Sequence, residues 1–137
     1  LEGNEKKEFL KGAEIAYETI LTSFAKGEHK KLRSLLTSPM VENFEEAIAE
    51  RDKNNIKSEF TFIGIKESNL EKYEKVKNDL FASVKFVSEV ISVKKDEQNK
   101  IIEGSPDKIK QVIDYWKFTK NILNKSPNWY LSEIVSK

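Results

Sequence analysis

The 137-residue chain contains no cysteine. Disulfide frameworks, thiolate nucleophiles and cysteine-built zinc sites are therefore excluded. A single histidine leaves metal ligation to carboxylates alone, so no metal site and no cofactor is expected. The five glycines are scattered, so no glycine-rich loop can cradle a phosphate. No apolar run approaches the roughly 20 residues that span a bilayer, and no signal peptide is visible. Nor does one sign of charge dominate. Lys+Arg 24 stand against Asp+Glu 23, a net charge of +1, so there is no general electrostatic footprint for nucleic acid. A start at Leu1 rather than Met is what a fragment excised from a longer chain would show, with any upstream anchor or targeting segment cut away.

What the chain does contain is aromatic residues arranged with a period. Apolar residues make up only 38% of the chain and charged residues 34%, but Phe 8, Tyr 4 and Trp 2 supply large side chains for one core. Their regular spacing argues against disorder, and the length suits one domain. The expected organisation is a flexible N-terminal tail over residues 1–8 and one domain over 9–137.

Both tryptophans fall in one stretch, Val112 to Val135. There, two runs rich in β-branched and aromatic residues flank Asn124-Lys125-Ser126-Pro127-Asn128, the pattern of an antiparallel hairpin. Val112, Trp116, Phe118 and Ile122 share one parity with Asp114 and Lys120, so in a strand they share one face.

Upstream, Phe9, Ala13, Ala16, Tyr17, Ile20, Leu21 and Phe24 recur at helical spacing, and Lys26-Gly27 is a C-terminal stop. This stripe suits packing on a core or an amphipathic surface helix headed by Lys6, Lys7 and Lys11. A short second helix is expected over Glu28–Leu36. A third begins at Ser38-Pro39, with Ser38 as cap and Pro39 in the first position. It carries Met40, Val41, Phe44, Ala47 and Ile48 on one stripe and ends near Asn54-Asn55. After Lys57 the period changes to two. A first strand passes Phe60 and Phe62 and continues, beyond a kink, through Leu70–Lys77. A turn at Asn78-Asp79 leads to a long strand, Leu80–Val93, and Ile101–Ile109 reads as a loop. Helices followed by about four antiparallel strands give a segregated α+β fold: N-terminal helices on a twisted antiparallel sheet, cone-like, with room for an apolar pocket between the layers. Phe44, Ile48, Phe86, Trp116 and Phe118 are the candidates either to line that pocket or to fill the core completely.

Candidate chemistry is sparse. His29 lies in a charged run, Glu28-His29-Lys30-Lys31, and is expected on the surface rather than in a triad. Asp114 lies on the apolar parity of its strand. An inward carboxylate of this kind can act as a base, as in cone-shaped isomerases, or be hydrogen-bonded at the sheet rim; Glu89 has the same two readings. Lys30, Lys31 and Arg33 form a small basic run that suits a solvated helix face or a contact to anionic headgroups acting with the first helix.

The ordered segments Phe9-Leu10-Lys11-Gly12-Ala13, Ala25-Lys26-Gly27, Phe44 to Arg51, Phe86-Val87-Ser88-Glu89-Val90, Trp116-Lys117-Phe118 and Pro127-Asn128-Trp129 together resemble the Tim44-like domain family, in the compact spacing of its bacterial members. The resemblance runs from Phe9 to Val135. It implies a non-enzymatic, membrane-associated scaffold that docks a protein-translocation or membrane-assembly complex at an inner membrane and contacts anionic lipid. Its expected partners are anionic membrane lipid and protein components of that complex, with no nucleic acid. The mitochondrial member tethers the import Hsp70 motor through a segment upstream of this domain, and this chain has no counterpart of that segment. Bacterial relatives typically carry an N-terminal membrane segment. The lipid-contact candidates are Lys6, Lys7, Lys11, Lys30, Lys31 and Arg33. The rival reading is a cone-fold small-ligand carrier or enzyme that uses an apolar pocket with Asp114.

Overall fold

The computed structural model describes residues 2–135. Three helices precede five strands: α1 (Gly3–Lys26), α2 (His29–Arg33), α3 (Ser38–Lys53), β1 (Lys57–Val76), β2 (Asp79–Lys95), β3 (Ile101–Gly104), β4 (Lys110–Asn121) and β5 (Tyr130–Val135). This is the α+β arrangement expected from the order of the periodicities.

Helix α1 starts at Gly3, ahead of the apolar stripe that begins at Phe9. Its first turns are exposed and charged and have no side-chain cap, so neither an apolar stripe nor a capping residue marks the start. Its buried stripe, Phe9, Ala13, Tyr17 and Ile20, is the one the spacing predicts. Gly27 ends the helix at φ 71°. The Gly27 amide donates to the Phe24 carbonyl at 3.2 Å and the Glu28 amide to the Ser23 carbonyl at 2.8 Å, the paired bonds of a Schellman motif. A Cβ at Gly27 would meet only ordinary contacts, the nearest 3.7 Å away. Gly27→Ala is therefore expected to cost only the backbone strain of a left-handed alanine, roughly 1–2 kcal/mol, read as a lower denaturation midpoint with an unchanged denaturant slope.

Helix α2 is shorter than the expected Glu28–Leu36 and buries Leu32. The chain then turns onto the sheet. The Thr37 amide donates to the Leu131 carbonyl at 3.0 Å and the Leu131 amide to the Leu35 carbonyl at 2.9 Å, so the helical layer is bonded directly to β5. The cap of α3 is Thr37 rather than Ser38, with Pro39 in the first turn. Met40 and Ile48 are buried, and the helix ends at Asn54, followed by Asn55 at φ 55°.

The sheet is open and antiparallel, in the order β1-β2-β4-β5, with β3 also paired to β2. Val84, Phe86, Ser88 and Val90 of β2, alternate residues on one face, are buried, and Val84 and Phe86 belong to the core that includes the helices. Opposite them on β1 stand Leu70, Ser68, Ile65 and Phe62, at intervals of two and three residues, because register shifts fall between Phe62/Gly64 and Ile65/Glu67. Each bulge adds a residue and bends the strand while holding the same face inward. The turn into β2 sits at Lys77-Asn78, one residue earlier than Asn78-Asp79, with Lys77 at φ 57°. Ile101–Gly104, expected within a loop, is a short exposed strand paired with Val93–Lys95. Trp129 lies just before β5 rather than within it.

Candidate functional site

The inward parity of β4 holds: Trp116 and Phe118 are buried, and Asp114 is half-buried on the same side. Tyr17, from the middle of α1, reaches down to this carboxylate. Its hydroxyl donates to Asp114 Oδ2 at 2.6 Å and lies 2.9 Å from Ser88 Oγ. Tyr17 is 0% exposed, its ring stacked 4.2 Å from Phe86 and tilted 4.7 Å from Trp116. Burial, and next the bond to Asp114, raise the Tyr17 hydroxyl well above the usual phenol range, so it stays a donor. No Lys or Arg lies within ion-pair distance of Asp114 among the described residues. The buried indole N–H of Trp116 has no hydrogen-bond partner there either.

The five pocket candidates part company. Phe44 and Trp116 line a cleft of about 610 Å³ between α1, α3 and the β4–β5 hairpin, and Asp114 lines it with them. Phe118 lines a second, larger cleft of about 1130 Å³ beside the N-terminal half of α1, together with Phe9, Tyr73 and Trp129. Ile48 and Phe86, at 2% and 0% exposure, are core residues and line neither cleft. Glu89 does not join Asp114. Ser88 points inward to Tyr17, so the next residue along the strand faces the opposite side of the sheet.

The basic candidates also divide. Lys7 and Lys11, one turn apart on α1, share a face, whereas Lys6 is rotated roughly 100° from Lys7. All three are exposed. Ile15, four residues beyond Lys11, is 63% exposed on that same face. Lys31 of α2 lines the larger cleft with Ile15 and stands 3.5 Å from Glu28. Lys30 is exposed and unpaired among the described residues. Arg33 is committed elsewhere: it bonds Glu45 of α3 at 2.7 Å, and His29 approaches the same carboxylate oxygen at 3.0 Å. Arg33 first and His29 second hold Glu45 below the usual carboxylate range. This exposed triad ties α2 to α3.

Sequence reasoning passed over Tyr17 and Ser88 as polar partners. Ser88 offered a faint signal as the one polar residue in the inward series Val84, Phe86, Ser88, Val90. No helix among the described residues is long and apolar enough to cross a membrane.

None of the curated proteins matches the sequence. Among solved structures, the intermembrane space region of the chloroplast protein ARC6 is similar in fold, with a TM-score of 0.58 at 11% identity, over 93% of this chain and 97% of that chain. A protein of the NTF2-like family from Streptomyces avermitilis aligns with a TM-score of 0.41 at 8% identity, over 95% of this chain and 99% of its own. The family model of the Tim44-like domain matches residues 3–136, nearly the whole sequence. The chain belongs to the Tim44-like domain family.

Proposed function

We propose that this domain is a non-enzymatic, membrane-associated scaffold of a protein-translocation or membrane-assembly complex, and that it meets anionic lipid at an inner membrane through the outer face of α1 and α2. Family membership over residues 3–136 supports the scaffold role at its coarse level. The lipid contact rests on one observation: an exposed isoleucine, Ile15, stands on a helical face with Lys7 and Lys11, next to Lys31 of α2. An exposed apolar side chain with Lys11 one turn away and Lys31 across the cleft suits the headgroup boundary, although Glu8 and Glu18 also lie nearby. With a net charge of only +1, attraction to a membrane must come from such a local arrangement. The non-enzymatic reading is supported by the separation of the chain's acid–base groups, since His29 is engaged by Glu45 and Asp114 by Tyr17.

Co-sedimentation with vesicles tests this. Binding is expected to anionic vesicles and not to neutral ones, and to weaken towards physiological salt as the screening length falls to ~8 Å. Reversing Lys7, Lys11, Lys30 and Lys31 to Glu should lower the bound fraction at least tenfold, since each contributes up to ~1 kcal/mol. Arg33 is left intact because its bond to Glu45 ties α2 to α3. Equal binding to both vesicle types, or none to either, would reduce the domain to a protein-docking module.

A further inference from the structure

The cleft that holds Asp114 has a chemistry that the scaffold reading does not use. We propose that it is a binding site for a small monocationic amphiphile, a ligand with an apolar body and one ammonium head. Its volume of about 610 Å³ falls within the range of small-molecule sites. Its wall is built from Leu21 and Phe24 of α1 and Met40, Phe44 and Ala47 of α3, which suits an apolar body. Among the described residues, the charged ones in that wall are Asp114 and Glu133, and Glu133 is paired with Lys117 at 3.7 Å, which leaves Asp114 as the uncompensated charge.

The charge balance decides the sign of the ligand. Asp114 is half-buried, yet among the described residues its side chain is hydrogen-bonded only by the neutral hydroxyl of Tyr17, on Oδ2. A partly desolvated carboxylate normally has a cation beside it, and none of the described Lys or Arg side chains serves. An ammonium head would supply that missing charge at the free side of the carboxylate. Tyr17, fully buried and stacked on Phe86, fixes the position of the carboxylate in advance. The rings of Phe44 and Trp116 in the wall add further preference for positive charge, because an aromatic face attracts a cation; the Phe24 ring already carries the Arg51 guanidinium at 5.1 Å. A carboxylate or sulfate head would instead meet the Asp114 carboxylate, whereas Glu133, also at the wall, is already paired with Lys117. The site is thus opposite in sign to the Lys7, Lys11 and Lys31 positions proposed to meet lipid, and it stands whether or not they do.

Calorimetric titration with n-octylammonium, n-octanol and n-octanoate tests the assignment. Octylammonium is expected to bind one-to-one and at least tenfold more tightly than octanoate, with octanol between them. Asp114→Asn keeps an acceptor for Tyr17 but removes the charge. It should weaken octylammonium at least tenfold, leave octanol nearly unchanged and leave the melting curve close to that of the natural chain. Ala47→Phe, at an exposed position of α3 in the cleft wall, fills the site without touching the core and should abolish binding of all three probes. Octanoate binding as tightly as octylammonium, octylammonium affinity unaffected by either variant, or only weak multi-site uptake would each overturn the proposal.

Discussion

Trp116→Ala is expected to cost roughly 3–5 kcal/mol, the range for deleting a large buried aromatic side chain. Trp116 is 2% exposed and touches rings from two layers: Tyr17 of α1 at 4.7 Å, Phe86 of β2 at 5.8 Å and Phe118 of its own strand at 6.2 Å. Its side chain therefore stands where the helix layer meets the sheet. Removing it leaves a void beside Asp114 and widens the cleft that the two residues line together. Against a typical stability of about 5–15 kcal/mol, this loss would consume much of the folding free energy. Guanidinium denaturation followed through Trp129, the remaining tryptophan, measures it. Trp116→Phe should cost less, because it keeps a ring and also removes an indole N–H that has no partner. A loss below about 1 kcal/mol for Trp116→Ala would mean that the side chain is not at the centre of packing.

Tyr17→Phe carries the second largest expected effect, about 1–3 kcal/mol. The ring stays and so does its stacking on Phe86; only the hydroxyl goes. Asp114 and the fully buried Ser88 then lose their shared partner, and two polar groups are left short of a hydrogen bond. Burial of this hydroxyl, and next its bond to Asp114, predict a signature in alkali. The folded state holds the phenol proton above its ordinary value of about 10, so above that pH the unfolded chain gives up a proton that the folded one keeps. Stability is therefore complete below pH about 10 and falls as pH rises beyond it. Tyr17→Phe should lose that part of the slope, leaving only what the other tyrosines and the lysines contribute. Identical alkaline slopes for the two proteins would show that the hydroxyl is not held buried against Asp114.

How far these features could be read in advance depended on whether the signal was local. Helix α1 from Phe9 onward and the inward parity of Trp116 and Phe118 are written in residue spacing, and the structure keeps both. The glycine stop at Gly27 is equally local, since only the left-handed backbone there demands it. The start of α1 at Gly3 was not legible because exposed charged turns have no apolar stripe and this one has no cap. Along β1 the alternation fails for a definite reason. The register shifts put Phe62, Ile65 and Ser68 inward at intervals of three, which breaks the period of two on which strand reading depends. β3 was hidden because its four residues are all exposed and its pairing is set by the turn at residues 96–99 rather than by burial. Least legible was the site itself. Tyr17 and Asp114 are separated by 97 positions, and only packing α1 across β2 and β4 brings them to 2.6 Å. The partition of the basic residues was hidden for the same reason, because Arg33 meets Glu45 only once α2 folds against α3.

The absence of cysteine makes the membrane-facing claim directly measurable, since any introduced thiol is unique. Ile15→Cys on the outer face of α1 and Ile113→Cys on the outer face of the sheet are both exposed in the natural chain, at 63% and 51%, so each can carry a polarity-sensitive fluorophore without disturbing the core. On addition of anionic vesicles the label at position 15 should shift to the blue and become shielded from an aqueous quencher, while the label at position 113 should not change. Both effects should vanish in high salt. A shift at 113 without one at 15, or equal shifts at both, would contradict a membrane contact made by α1 and α2.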